Sequence, residues 1–514
     1  MRRTILTRLA LVIAGFVIAA MLLTGIEFAL RVFGVGGALA HDPFAGFSNL
    51  VPMFERVRRS DGVQIYRTTR GRTPGLDADP AEFLAEKPPN GYRIFVIGGS
   101  SAAGVPYGYR YSFAGWLERR LRATHPDRFV EVVNAAVSGY SSRRALMVAR
   151  EIDAFEPDLL IVYSGHNERA EKRYYKHLLE MDPRVFAIRQ WFYSTHLYGL
   201  ASGFLPRSAD GPGDLNFDEI SNSNQMFAVA DRRIRGADLQ DEQELEYEAI
   251  HFRFNLEAMA DAMQEAELML LSISQDFADW PPGTSVPKKG LSHEQTAQFD
   301  ELIGRGRTLA GEDCEAALPL FEQALAIDTG FAALHFEIAN CQRRMGQLDR
   351  AREHYRLASD LDRVPLGANT HYNEIIRDVA KSKGAYFVDI HALMERLSPD
   401  GLVGRDLFVD LLHPNLFAHQ RIAEEIASVM STAALIAPTS HWRSDEFVDP
   451  DAAGLLASNP DLVRGEHLVR AFACVLARQR DCALAATQAL LSTDPDDERA
   501  RQLQRQAREL PQGH

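Results

Sequence analysis

Five short apolar runs alternate with amphipathic helical patterns between residues 93 and 430, and this alternation narrows the possible folds more than any other feature. The runs are Arg93–Ile97, Phe129–Val133, Asp158–Tyr163, Leu268–Ser274 and Ala385–Ile390. Helical spacing marks Phe113–Thr124, Ser142–Phe155, Phe252–Ala266, His371–Lys383 and Leu416–Met430. Short, continuously apolar strands that alternate with helices predict a parallel sheet covered on both faces. At 514 residues the chain exceeds one ordinary core, so two or three domains are expected. Its composition, 46% hydrophobic and 25% charged, is that of a folded protein. A formal net charge of −14 argues against a general nucleic-acid binder, which needs a basic face.

The N-terminus carries a second strong signal. Arg2, Arg3 and Arg8 flank an uncharged run from Leu9 to Ile26, followed by Glu27. Read to Leu30, the segment is about 22 residues, enough to cross a bilayer. Basic residues ahead of the run place the N-terminus in the cytoplasm and the bulk of the chain outside it, on the periplasmic side. The rival is a signal peptide cleaved after the small residues Ala38-Leu39-Ala40, which would release a secreted protein. An exported chain permits disulfides, and Cys314 with Cys341 and Cys474 with Cys482 are the candidate pairs; four buried thiols are the alternative.

Residues 34–90 hold many Gly, Pro and Arg and no long periodic segment, and read as a linker and irregular approach. The Gly/Pro/Asp-rich stretch Ser208–Asn216, within residues 170 to 250, suggests either an excursion over the substrate face or a surface insertion. Between the fourth and fifth runs, "AALPLFEQALAID" (Ala316–Asp328) recurs as "RAREHYRLASDLD" (Arg350–Asp362). Ala317, Phe321 and Ala324 align with Ala351, Tyr355 and Ala358 at a spacing of 34, and resemble tetratricopeptide repeats. A looser third unit lies in the C-terminal "AFACVLARQRDCALAATQALLSTDP". These helices would either bind a protein partner or pack on the sheet domain.

Four loops at the ends of the runs carry the chemistry. Gly98-Gly99-Ser100 follows the first run, where ligands of open parallel sheets sit. A serine needs a base to attack at neutral pH. "DLLHPN" offers His413 outside the helix that follows, with Pro414 favoured as that helix's first residue, and Asp410 placed to orient the imidazole. An oxyanion needs donors, and "NAAVSGY" and "YSGHNE" put Gly139 and Asn167 after the second and third runs. Taken alone, the Ser100, Gly139 and Asn167 loops are each more often an ordinary turn or helix cap, and His413 is as readily a helix cap as a base.

Together, in this order, they resemble the SGNH hydrolases, also called the GDSL family, over roughly residues 90–280 and 366–434. The resemblance implies Ser100 as nucleophile, with Ser101 the fallback, His413 as base and Asp410 orienting it. It implies an oxyanion hole from the Ser100 and Gly139 N–H groups and the Asn167 side chain. Two positions depart from the family pattern: Gly99 stands where an Asp is usual, and Glu168 stands where an Asp follows the asparagine. Such chemistry requires no metal or organic cofactor.

The expected architecture is therefore α/β, a flavodoxin-like three-layer sandwich with a five-stranded parallel sheet, an α-helical tetratricopeptide-like insertion and a helical C-terminal tail. The expected divisions are an anchor or signal over 1–33, a linker over 34–90, a catalytic domain over 91–290 and 366–434, the helical insertion over 291–365, and repeat-like helices over 435–514. The expected function is a membrane-anchored serine ester hydrolase acting on O-acyl or O-acetyl groups of a glycan or lipid through an acyl-enzyme. Transfer of the acyl group to a surface polysaccharide is one alternative, and a repeat-based scaffold on an inactive hydrolase fold is another.

Overall fold

A computed structural model of the chain describes residues 2–36, 42–70, 72, 80–169, 171, 178–179, 181–202, 242–283, 285–288, 290–363, 367–368, 370–437 and 451–510. The Ala38–Ala40 cleavage site and the Ser208–Asn216 stretch lie outside them. In chain order the elements are α1 (Arg2–Phe33), β1 (Phe54–Arg58), β2 (Gln64–Thr68), β3 (Glu82–Leu84), β4 (Gly91–Gly98), α2 (Ser100–Ala103), α3 (Phe113–Thr124), β5 (Phe129–Asn134), α4 (Ser142–Ile152), β6 (Leu159–Tyr163), α5 (Pro183–Tyr193) and α6 (His196–Ser202). There follow α7 (Glu242–Ala262), β7 (Glu267–Leu271), α8 (His293–Ala310), α9 (Cys314–Ile327), α10 (Ala332–Arg344), α11 (Leu348–Asp360), α12 (His371–Lys383), β8 (Tyr386–Val388), α13 (Ile390–Leu397) and α14 (Leu416–Thr432). The tail forms α15 (Ala452–Ser458), α16 (Pro460–Leu476), α17 (Arg480–Thr493) and α18 (Glu498–Glu509).

The main sheet has five strands in the order β5-β4-β6-β7-β8, each paired parallel to its neighbour. This is the flavodoxin-like order, with the connections diverging on either side of the first strand, β4. α3 packs on α14, and α4 packs on α7, which packs on α12, giving two helical layers. The continuous apolar pattern follows from that covering: from Ile94 to Ile97 and from Leu159 to Ile161 every residue is fully buried. Each such aliphatic or aromatic side chain stabilises the fold by about 1.5–3 kcal/mol relative to an exposed one.

One charge sits inside this pattern. Arg93 of β4 is buried opposite Glu131 of β5, with a 2.9 Å ion pair. Its two terminal guanidinium nitrogens also donate to the carbonyls of Phe155 and Leu84. The last of these reaches β3, which belongs to a sheet the sequence pattern does not suggest. Where residues 34–90 read as irregular, β1, β2 and β3 form a three-stranded antiparallel sheet. Its pleat buries only a few side chains, Phe54, Ile65 and Phe83 among them, too short an alternation to stand out among the surrounding Gly, Pro and Arg. The Glu151 carboxylate accepts from the Met53 and Phe54 N–H groups and ties β1 to α4.

The repeat forms helical hairpins. α8 packs on α9 and α10 on α11. Ala317, Phe321, Ala324, Ala351, Tyr355 and Ala358 are all buried, which is the small–large–small packing that the spacing of the repeat implies. The first hairpin shares a small separate core with α10, Phe299 and Ile338 among its members, whereas Ala339 of α10 and Ala351 and Tyr355 of α11 join the core of the sheet domain. The second hairpin therefore packs on the sheet domain. Cys314 is disulfide-bonded to Cys341, and Cys474 to Cys482. In the tail, α16 packs on α17 and α17 on α18, and Arg470 of α16 donates to the Val409 carbonyl at 2.7 Å.

Candidate active site

The site grows from the end of β4. Gly98 has φ +151°, a conformation L side chains rarely adopt, and a Cβ there would collide with the Tyr163 carbonyl of β6. The chain then passes Gly99, where a Cβ would collide with Asn167 Nδ2 and lie 3.2 Å from the Tyr140 carbonyl. Any side chain at position 99 would therefore require the Asn167 amide to shift. Ser100 opens the single-turn helix α2. As a first-turn amide, its N–H has no intrahelical acceptor.

His413 arrives from a loop more than three hundred residues later. Its backbone is pinned to Val409, whose N–H donates to the His413 carbonyl at 2.9 Å. The helix beyond starts two residues later than Pro414 suggests. Asn415 is the N-cap, accepting from the Ala418 N–H, and Leu416 is the first helical residue. Pro414 instead bridges to Phe408. Asp410 Oδ1 accepts from the Leu412 and His413 N–H groups, each at 2.9 Å. Its Oδ2 lies 2.8 Å from His413 Nδ1, and His413 Nε2 lies 2.8 Å from Ser100 Oγ. Burial pushes the Asp410 carboxyl up, but the adjacent His413 and the hydrogen bonds from His413 and Leu412 outweigh it and hold the group below its ordinary range. An ionised Asp410 accepts from Nδ1–H, which leaves Nε2 to accept the Ser100 proton. Ser101 is buried and donates to the Leu412 carbonyl at 2.8 Å, so its hydroxyl is spent on the same loop.

The two remaining loops meet beside Ser100. Gly139 takes φ +77°, and among the described residues its N–H makes no hydrogen bond. Asn167 Nδ2 donates to the Tyr140 carbonyl at 3.0 Å, which holds the amide with its nitrogen toward Gly99.

Several residues support the site, and of these only Glu168 stands out in the sequence. Glu168, half-buried, accepts from the Ser142 N–H at 2.7 Å and bonds the Ser142 hydroxyl at 2.8 Å, so its extra methylene reaches the start of α4. Burial pushes its carboxyl up to about 8, against the hydrogen bonds from Ser142. Glu171 accepts from the Ser141 N–H and hydroxyl and from Arg144 Nε. Arg144 in turn donates to the Gly139 carbonyl at 2.7 Å and to the Ala45 carbonyl at 3.0 Å, with its guanidinium 4.2 Å from the Tyr140 ring centroid. His166 is buried, and among the described residues neither ring nitrogen has a hydrogen-bond partner. Burial first, then the nearby His413, pushes its pKa down to about 3, so it is neutral. "SRR" and "NERAE" are commonplace strings, and only folding pairs Arg144 with Glu171 across 27 residues.

A family model of the tetratricopeptide repeat matches residues 309–367. No curated protein matches the chain. Among solved structures, one described as TesA is 13% identical, covering 67% of this chain and 99% of its own, with a TM-score of 0.28. The lipase/acylhydrolase from Enterococcus faecalis is 12% identical, with coverages of 68% and 99% and a TM-score of 0.29. The acetyl xylan esterase AlAXEase is 12% identical, with coverages of 65% and 98% and a TM-score of 0.25. Likenesses this remote add nothing to the sheet order and the site geometry.

Proposed function

We propose that the protein is a serine ester hydrolase of the SGNH type, with residues 91–290 and 366–434 forming one catalytic unit. The observation that carries this reading is the unbroken hydrogen-bonded chain Ser100–His413–Asp410, built from segments 313 residues apart. A hydroxyl, an imidazole and a buried carboxylate in that order have one evident use, which is activating the hydroxyl as a nucleophile. Ser100 Oγ attacks an ester carbonyl while its proton passes to His413 Nε2. Asp410 stabilises the imidazolium that forms. The developing oxyanion is met by the Ser100 and Gly139 N–H groups and Asn167 Nδ2. Collapse expels the alcohol, protonated by His413, and leaves an acyl-Ser100. Water, deprotonated by His413, then releases the acid. The substrate class is an O-acylated, most simply O-acetylated, glycan or lipid.

The same reading takes α1 as an uncleaved anchor with the catalytic unit outside the cytoplasm. Ile13–Phe33 has a mean hydropathy of 2.2, none of it is buried by the rest of the chain, and the arginines precede it. Two disulfides suit an oxidising compartment. The first repeat hairpin, whose small core with α10 is separate from that of the sheet domain, is the surface for a protein partner.

Fluorophosphonate labelling tests the nucleophile. The wild type and Ser101→Ala are expected to label, and Ser100→Ala is not. Labelling that persists in Ser100→Ala would overturn the assignment. With an acetyl ester as donor, product partition between acetate and an acetylated sugar acceptor reads hydrolysis against transfer.

A further inference from the structure

We infer that α5 and α6 form a second membrane contact, lying in the outer interface of the bilayer that α1 crosses. This rests on α1 being an anchor. α5 has an inward face and an outward one, the latter carrying Arg184 among its apolar side chains. Phe186 and Tyr193 point inward, with ring centroids 4.8 and 5.4 Å from that of Phe44. On the opposite face Val185, Ile188, Trp191 and Phe192 fall within one stripe of a 3.6-residue helix. They are 45%, 66%, 70% and 49% exposed. Four large apolar side chains open to water on three turns of helix demand a cover.

The contact between α6 and α1 identifies that cover. The Glu27 carboxylate of α1 accepts from the His196 and Leu197 N–H groups at 3.0 and 2.9 Å, and from Arg31 at 2.7 Å. His196 Nδ1 lies 3.0 Å from the Val35 carbonyl just beyond α1. At 1.5 Å per residue, Glu27 sits about 9 Å from the outer end of the apolar span at Phe33. That is the depth of the headgroup–acyl boundary, where amphipathic helices settle and Trp is favoured. Phe28, Val32 and Phe33 at this end of α1 are themselves exposed, and α6, which packs on both α1 and α5, links the two helices. Arg184 and Arg189 are exposed on α5, within reach of anionic headgroups. A water-facing surface would have no reason to bind the start of α6 to a carboxylate inside the span. A bilayer-facing one does, since Glu27 then enters the interface already hydrogen-bonded.

Site-directed spin labelling of the full chain in phosphatidylethanolamine/phosphatidylglycerol vesicles tests this. All four native cysteines are paired, so Ile188→Cys, Leu22→Cys and Leu309→Cys each take one label. Collision with oxygen, which concentrates in lipid, is compared with collision with a water-soluble nickel chelate. The expected result is a label at 188 that favours oxygen several-fold more than the one at 309, and less than the one at 22. A label at 188 that behaves like the one at 309, while 22 is lipid-exposed, overturns the interfacial contact and leaves the anchor standing. A label at 188 shielded from both reagents overturns it in favour of a protein cover. Oxygen preference at 188 in a chain whose residue 22 has been cleaved away supports the interfacial surface and removes the anchor.

Discussion

The residues around Ser100 divide into those that would touch a substrate and those that hold them. Asn167 belongs to the first group on the proposed mechanism. Asn167→Ala is expected to lower kcat about 10²–10³-fold, the usual cost of one oxyanion donor, with the melting temperature little changed. Steady-state kinetics beside thermal unfolding checks it. Glu168 belongs to the second group. Its carboxyl is raised from 4.5 to about 8 by burial, so between those values the folded state binds a proton that the unfolded state has released. Stability from this group therefore falls as pH rises through the window and levels off above about 8. Glu168→Gln keeps both bonds to Ser142 and should flatten that part of the pH–stability curve, as read by chemical denaturation at several pH values. Gly99 is a third case. A side chain placed there would shift the Asn167 amide, so Gly99→Asp is expected to lower kcat, as steady-state kinetics would show, while Ser100 remains present.

Among the elements, α9 and α10 depend on a small core and a covalent tie. Phe321 fills the space beside Gly306, where even a Cβ would collide with its ring. Phe321→Ala removes that filling and is expected to destabilise the first hairpin by about 3–5 kcal/mol. The Cys314–Cys341 bridge closes a span of 27 residues, a constraint on the unfolded chain of about 3–4 kcal/mol on the loop-entropy account. Hydrogen exchange should show either change confined to α8, α9 and α10, because α11 packs its Ala351 and Tyr355 into the core of the sheet domain. α16 acts on a different element, the histidine loop. Arg470 bonds the Val409 carbonyl, and the Val409 N–H holds the His413 carbonyl. Arg470→Ala is expected to cost about 1.5–3 kcal/mol of loop stability and to lower kcat more than it raises KM. Partial recovery by Arg470→Lys would mark the charge-assisted bond as the cause.

At the scale of the whole molecule, a continuous set of contacts joins the N-terminal helix to the candidate site. Glu27 holds α6, the neighbouring α5 packs on Phe44, Ala45 bonds Arg144, and Arg144 bonds the Gly139 carbonyl. The five apolar runs and their helices were readable because a strand buried on both faces and a helix with one apolar stripe each leave a local periodic signature. The repeat was readable for the same reason, its spacing of 34 being set by one helical hairpin. The sheet of β1, β2 and β3 left no such mark, since short strands with one wet face look like loops when Gly and Pro surround them. Nor did Arg93, whose charge is tolerated in β4 only because Glu131 lies opposite. Local patterning thus decided which segments would be strands and helices, and which side-chain chemistries would stand at strand ends. Whether Ser100 meets His413, where Asn167 points, what Glu168 and Arg144 hold, and which face of α5 is left bare were decided only by folding. Those are distances between residues far apart in the chain, and hydrogen bonds act over about 3 Å in space, whatever the separation along the sequence.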